Sequence, residues 1–124
     1  MKTLDAKALG RAGERRARWF YRLRAYRIVG SNVRMHGGEV DLIVRRGRAL
    51  VFVEVKTRAS TFAGEGFDAV DRTKQQRLMR LAQQYLSRNP QPLGTEVRFD
   101  VISILVMNGR LRLTHITDAF RDDG

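Results

Sequence analysis

The sequence predicts a mixed α/β (α+β) domain in which one β-sheet is flanked by helices. Three observations lead to this prediction. Two segments have the periodicity of amphipathic helices, five others read as strands, and the elements follow the order α-β-β-β-α-β-β. A chain of 124 residues can bury one core but not two. Residues 1–124 are therefore expected to form a single domain.

The first half of the chain contains one helix and three strands. The helix is expected over residues 4–24, where small and apolar residues recur at helical spacing. A strand at 25–35 follows. EVDLIV (39–44) and ALVFVEV (49–55) are the clearest strands, and the RRGR between them contains a glycine suited to a tight hairpin turn.

The second half contains a helix and a strand pair. A loop is expected over KTRASTFAGEGF (56–67), and Asp71 is a candidate N-cap for a helix that ends near Ser87. After the break NPQPLG, the strands 97–107 and 110–116 are joined by Asn-Gly, which favours a two-residue turn.

Charge and cysteine content limit the classes of function. The chain has 24 Lys and Arg against 13 Asp and Glu, a net charge of +11, which favours a polyanionic partner such as nucleic acid. It contains no cysteine, so thiolate metal sites and disulfides are excluded. We expect a cytoplasmic protein with no signal peptide and no membrane span.

Acidic residues interrupt the two clearest strands. If Arg46 and Gly47 form the hairpin turn, Asp41 faces Phe52, and Glu54 lies diagonally beyond it on the same sheet face. The same register makes Glu39 face Glu54. Carboxylates placed together repel each other unless a cation joins them, and oxygen ligands favour Mg²⁺ or Mn²⁺.

Each acid also has an ordinary structural interpretation. Glu54 and Lys56 lie two residues apart on one face of a strand, and they can form a simple ion bridge. Glu14, beside the small residues of the first helix, can pair with Arg18 four residues later. These alternatives remain open on the residues alone.

The order of motifs adds a resemblance. GRAGERRARWF, GEVDLIV, LVFVEVKTR, KQQRLMRLAQQYL, VRFDV and THITDAF together resemble the YraN-like family of small bacterial proteins. That family is similar to archaeal Holliday-junction resolvases of the PD-(D/E)xK, restriction-endonuclease-like superfamily. Val40 stands where the superfamily signature has proline. Leu81 stands where the RecB-like branch has glutamine, so a RecB-type exonuclease is not favoured.

The resemblance implies a restriction-endonuclease-like fold and a nuclease centre. The catalytic residues would be Glu14, Asp41, Glu54 and Lys56. The metal ligands for Mg²⁺ or Mn²⁺ would be Asp41, Glu54 and the main-chain carbonyl of Val55. A homodimer is a reasonable expectation for a resolvase-like protein, with strand 110–116 and Phe120 as candidate surfaces.

Several basic residues are candidates for contact with nucleic acid, which we expect to be DNA. They are Arg11, Arg15, Arg18, Arg22, Arg58 and Lys74. Trp19 and Tyr21 have rings that can stack on bases, although aromatic residues at helical spacing usually pack in a core. Asp100 and His115 are expected to be satisfied core or edge residues. Three functions remain: a metal-dependent nuclease, a non-catalytic nucleic-acid-binding module, and a partner-binding component of a DNA-processing complex.

Overall fold

A computed structural model describes residues 6–59 and 72–120. The predicted order of elements is confirmed. The helices and strands are α1 Ala6–Arg22, β1 Arg27–Met35, β2 Gly38–Arg46, β3 Ala49–Ala59, α2 Arg72–Arg88, β4 Glu96–Met107 and β5 Arg110–Ile116. In this part of the chain, neither helix has the length and apolar character needed to cross a membrane.

The five strands form one mixed sheet whose spatial order equals their order in the chain, β1-β2-β3-β4-β5. Hairpins join β1 to β2, β2 to β3, and β4 to β5 in antiparallel pairs. The β3–β4 pair is parallel, so it needs a crossover connection, and α2 lies in that connection.

The two helices cover opposite faces of the sheet and create two cores. On one face, Ala17, Phe20 and Tyr21 of α1 pack in a cluster with sheet residues such as Leu42 and Val53. On the other face, Leu78, Leu81 and Ala82 of α2 pack in a cluster with Ile43, Phe52 and Phe99. Because β3 is covered on both faces, Leu50 to Val53 is a continuous apolar run rather than an alternating one.

Strand β3 ends at Ala59 rather than at the expected Val55, so the predicted boundary of this strand is wrong. Its parallel ladder with β4 continues to the pair Ala59 and Val106, which satisfies the backbone beyond Val55. Lys56 and Arg58 therefore lie on a strand rather than in a loop. The candidate N-cap Asp71 and the remainder of the expected loop lie outside the described residues.

The β2–β3 hairpin differs from the expected one by its turn. Arg46 pairs with Ala49, so the turn residues are Gly47 and Arg48, with Gly47 at φ 58°. Each β2 residue consequently faces a β3 residue two positions later than predicted. Phe52 faces Ile43, not Asp41. The slip of two residues keeps the paired side chains of residues 42–46 on their predicted faces, because side chains alternate with a period of two.

Helix α1 approaches β3 closely through one small residue. A Cβ built on Gly13 would overlap the Thr57 side chain, and would lie 2.9 Å from the Thr57 Cβ. Gly10, one turn earlier, has open space around it. The absence of a side chain at Gly13 thus sets the separation of α1 from the sheet, and with it the position of the neighbouring Glu14.

Candidate active site

Asp41 lies where the β2–β3 ladder stops. The last pair of the ladder is Leu42 with Val53. Beyond it, the Val55 main-chain N–H donates to Asp41 Oδ2 at 2.8 Å. The alternation of β2 is also interrupted here, because Val40 and Ile43 pack in the same core cluster although they are three residues apart. The Asp41 carboxylate therefore replaces a main-chain partner at the point where the strands separate.

Glu54 lies beside Asp41 on the neighbouring strand. The carboxyls are close enough for a protonated form of one to hydrogen-bond the other. Burial, followed by the charge of Glu54, raises the pKa of Asp41 to about 7. Burial also raises the pKa of Glu54, although the nearby Arg77, Lys56 and Lys74 oppose that effect. Without a bound cation the pair therefore resists carrying two negative charges.

The donor set fits one ion that keeps part of its water shell. Among residues 6–59 and 72–120, no three His, Cys, Asp or Glu side chains are grouped closely enough to hold a metal. Asp41 and Glu54 supply two carboxylates. The Val55 N–H points towards Asp41, and the carbonyl of a strand residue points to the same side as its N–H. Two carboxylates and one carbonyl suit Mg²⁺, which commonly retains waters and accepts substrate phosphate oxygens.

Lys56 lies on β3 next to this pair. Partial burial lowers the pKa of Lys56, and the neighbouring Lys74 and Arg58 lower it further. Glu54 acts in the opposite direction, because its negative charge favours the ammonium form. The alternative of an isolated Glu54–Lys56 ion bridge does not describe this site, since each residue interacts with several charged neighbours.

Glu14 reaches the site from α1 without joining the carboxylate pair. Its Oε1 accepts a hydrogen bond from Asn32 Nδ2 at 3.1 Å, and its charge contributes to the raised pKa of Asp41. Among the described residues, the expected alternative partner Arg18 forms no ion pair with it. Asn32, a β1 residue with φ 49°, was not predicted as a site residue. It orients Glu14 towards the sheet.

The prediction that Glu39 faces Glu54 is wrong. Glu39 pairs across the sheet with Arg34 of β1, and the Glu39 Oε2 lies 3.6 Å from the Arg34 Nε. The β2–β3 ladder stops at Leu42 and Val53, so Glu39 has no partner on β3, although its charge still contributes to the raised pKa of Asp41. The site thus contains two closely placed carboxylates rather than three.

Cations from α2 complete the surroundings of the pair. Lys74, a predicted nucleic-acid contact, affects the pKa values of both Glu54 and Lys56. Arg77 was missed, although its charge lowers the pKa of Glu54 more than any other cation does. Its spacing of three residues from Lys74 was the available signal, because such residues share one face of a helix.

The arginines predicted on α1 lie on its solvent side. Arg11, Arg15 and Arg22 are exposed, and Arg18 is half-buried. In the described ranges, none of these four forms an ion pair with a carboxylate. Arg58 extends the basic surroundings on β3, where its charge affects Lys56. The predicted basic residues thus fall into two groups, one on α1 and one beside the carboxylate pair.

Asp100 is a satisfied core residue and His115 is a satisfied, partly buried residue of the edge strand β5, as expected. Asp100 is fully buried and accepts hydrogen bonds from Tyr21 and Arg98, while His115 Nε2 lies 2.8 Å from its Oδ2. Phe120, a candidate dimer residue, stacks on Phe99 of its own chain with ring centroids 5.1 Å apart. These contacts give Asp100, His115 and Phe120 a structural explanation.

Comparison with known proteins gives a consistent family. The model of the uncharacterised protein family UPF0102 matches residues 13–104. A UPF0102 protein of Symbiobacterium thermophilum is 45% identical over 119 residues, which cover 93% of this chain and 98% of the relative. One from Chlorobium phaeobacteroides is 44% identical, with 90% and 93% covered. One from Geobacter sulfurreducens is 42% identical, with 92% and 89% covered. These names state no activity.

Proposed function

The chain belongs to the uncharacterised protein family UPF0102, the YraN-like family expected from the motifs. From its site we propose a metal-dependent nuclease that hydrolyses phosphodiester bonds in structured or branched DNA. One observation carries the proposal: Asp41 and Glu54 form a carboxylate pair among cations. The pair is suited to a divalent cation, and the surrounding basic residues are suited to a phosphate.

The proposed roles follow from the chemistry of each group. Asp41, Glu54 and the Val55 carbonyl would hold Mg²⁺ or Mn²⁺. A divalent ion bound there would neutralise phosphate charge and lower the pKa of a bound water. The Asp41 oxygen that accepts the Val55 N–H fixes the carboxylate against rotation, so its other oxygen is presented in one direction. The fixed orientation reduces the reorganisation needed when a substrate binds.

Lys56 would orient the attacking water and accept its proton. Its lowered pKa makes the neutral amine more accessible than in an ordinary lysine. Lys74, Arg77 and Arg58 would bind the phosphates flanking the scissile bond, because guanidinium and ammonium groups donate charge-assisted hydrogen bonds to phosphate oxygens. Glu14, held by Asn32, would position the water from the α1 side.

The test is cleavage of a panel of DNAs with Mg²⁺ or Mn²⁺, comprising single-stranded, duplex, flap and four-way-junction substrates. Glu54→Gln and Lys56→Ala are each expected to reduce cleavage at least about 100-fold while DNA binding persists. Glu96→Gln is the matched control, because this exposed glutamate pairs with Arg48 away from the carboxylate pair. Metal-dependent cleavage that survives Glu54→Gln would contradict the assigned site.

A binding measurement separates the nuclease from a binding module. Tight DNA binding with no metal-dependent cleavage of any substrate would favour the non-catalytic alternative. Thermal unfolding tests the metal site independently of activity: Mn²⁺ should raise the melting temperature of the wild type but not of Asp41→Ala, because only a ligand of the folded state stabilises it. Equal shifts for both proteins would place the ion elsewhere.

A further inference from the structure

Trp19 is the only tryptophan of the chain, and it is 52% exposed. Its neighbours Phe20 and Tyr21 are buried in the core beneath α1. Both Trp19 and Tyr21 are candidates for base stacking from the sequence, and their burial in the structure distinguishes them. Tyr21 is part of the core, whereas Trp19 presents its ring to solvent. A large aromatic side chain gains much free energy from burial, so its exposure on a rigid helix is informative.

The side chains around Trp19 are basic or apolar. Arg15 and Arg16 lie one turn before Trp19 on α1, and Arg22 lies one turn after it at the end of the helix. Leu23 follows directly, and its main-chain N–H donates to the Trp19 carbonyl at 2.9 Å. The Arg22 guanidinium carbon is 5.7 Å from the centre of the Trp19 ring. Leu23 is 74% exposed. We refer to these five residues, Arg15, Arg16, Trp19, Arg22 and Leu23, as the Trp19 surface.

No acidic residue of α1 opposes this surface. The helix contains one acid, Glu14, and its carboxylate is bound to Asn32 on the sheet side. The partner that fits must therefore be anionic and must also offer a flat apolar face. A phosphate chain with an unpaired base has both properties, since the base stacks on an aromatic ring while arginines bind the phosphates. The bases of an intact duplex are already stacked on one another and are not available.

We propose that the Trp19 surface binds a single-stranded part of the nucleic acid, with one unpaired base stacked on Trp19 and its phosphates on the neighbouring arginines. The choice of nucleic acid as partner rests on the proposed function. Trp19 follows Glu14 by five residues, which places it about 7.5 Å further along the α1 axis and on another side of the helix. The Trp19 surface is therefore separate from the carboxylate pair, and its proposed role is to bind an unpaired part of the substrate rather than the scissile phosphate.

Because Trp19 is the single tryptophan, its fluorescence can report binding at this surface. Full-length Glu54→Gln protein, without added metal, is titrated with an oligothymidylate of about 12 nucleotides or with a blunt duplex of similar length. Saturable quenching of Trp19 fluorescence by the single strand, at lower concentrations than by the duplex, is the expected result. In the same background, anisotropy of the labelled oligothymidylate should show Trp19→Ala binding about 5- to 150-fold more weakly. Trp19→Phe should keep most of the affinity.

Leu93→Ala is the matched control, because Leu93 is fully exposed but lies outside this surface. Its affinity should equal that of the parent protein. Unchanged affinity in Trp19→Ala, or quenching by the duplex as strong as by the single strand, would overturn the proposal. Binding to vesicles containing phosphatidylserine that oligothymidylate does not displace would also overturn it, in favour of a lipid partner.

The two proposals fail separately. If Trp19 is needed for single-strand binding but no DNA is cleaved with Mg²⁺ or Mn²⁺, the nuclease is refuted and the Trp19 surface stands. If the wild type cleaves, and Trp19→Ala binds and cleaves as the wild type does, the Trp19 surface alone is refuted.

Discussion

Replacing Asp100 with Asn tests the hydrogen-bond network that joins α1 to β4 and β5. The fully buried carboxylate accepts hydrogen bonds from Tyr21 Oη at 2.8 Å and from the Asp118 main-chain N–H at 3.0 Å. The Arg98 guanidinium donates twice, at 2.9 Å and 3.0 Å. His115 Nε2 lies 2.8 Å from Asp100 Oδ2. Asn is nearly isosteric, so the substitution changes charge and hydrogen bonding while volume stays almost constant.

The magnitude follows from which donors lose an acceptor. An amide nitrogen at the Oδ1 position would face the Nε–H of Arg98 and the N–H of Asp118. At the Oδ2 position it would face the other Arg98 N–H. In either orientation Arg98 keeps its charge and loses its carboxylate. Removing one partner of a buried ion pair costs about 3–5 kcal/mol. Because 22% of the Arg98 side chain is exposed, we expect a loss near 3 kcal/mol.

Tyr21→Phe is the matched control for this prediction. It removes one hydroxyl from the same network and leaves the ion pair intact, so we expect a loss of about 1 kcal/mol. Urea unfolding followed by circular dichroism measures both free energies of unfolding at pH 7. A loss in Asp100→Asn no larger than that in Tyr21→Phe would refute the argument.

The pH dependence has a defined sign. Burial alone would raise the pKa of Asp100, but hydrogen bonds from His115 and Arg98 outweigh burial and hold the pKa below its ordinary value. A group with a lowered folded-state pKa contributes stability above its unfolded pKa, which is about 3.9 for aspartate. That contribution is lost as the pH falls towards the folded-state pKa. The difference between wild type and Asp100→Asn should therefore persist from pH 7 to pH 5 and shrink only below about pH 4; a difference already absent at pH 5 would contradict it.

Two further substitutions test the carboxylate pair and the close packing of α1 against β3. Asp41→Asn is expected to stabilise the metal-free protein by about 1–2 kcal/mol, because a neutral amide removes the cost of burying a charge and the repulsion with Glu54, while the amide oxygen keeps the main-chain hydrogen bond. Urea unfolding in EDTA measures this change, and a less stable variant would contradict it. Gly13→Ala is expected to destabilise the fold by about 1–3 kcal/mol, because the added methyl group overlaps Thr57. Gly10→Ala meets nothing within 4 Å and should be neutral or stabilising by up to about 1 kcal/mol, so equal melting temperatures for these two variants would exclude the close approach.

Local patterns were sufficient to predict most of the fold. The Asn108-Gly109 turn, with φ values of 50° and 75°, has the positive angles that its residues favour, and β5 has the predicted bounds. The extension of β3 to Ala59 was not visible, because small and polar residues there resemble a loop. Pairing with β4 stabilises this segment as a strand, and such pairing is a tertiary effect.

The sequence predicted that Asp41 and Glu54 share a sheet face, but it did not predict the register of their hairpin. Gly47 can occupy either position of a two-residue turn, so the sequence did not determine the register. Asp41 and Glu54 were nevertheless predicted on one face, since a slip of two residues preserves alternation. Arg77 and Asn32 reach the site only through tertiary packing. Their contributions depend on where α2 and β1 lie against the sheet, which no short motif records.

The order of strands has a consequence for how this protein can vary. All four proposed catalytic residues precede residue 57: Glu14 on α1, Asp41 on β2, and Glu54 and Lys56 on β3, the strand next to β2 in the sheet. Among the described residues, α2 adds cations to this group but no acid. The groups proposed to react thus lie in the first half of the chain, and part of the electrostatic attraction proposed for a polyanion comes from a separate segment. Substitutions in α2 can therefore change which polyanion is held without altering the groups proposed to act on it.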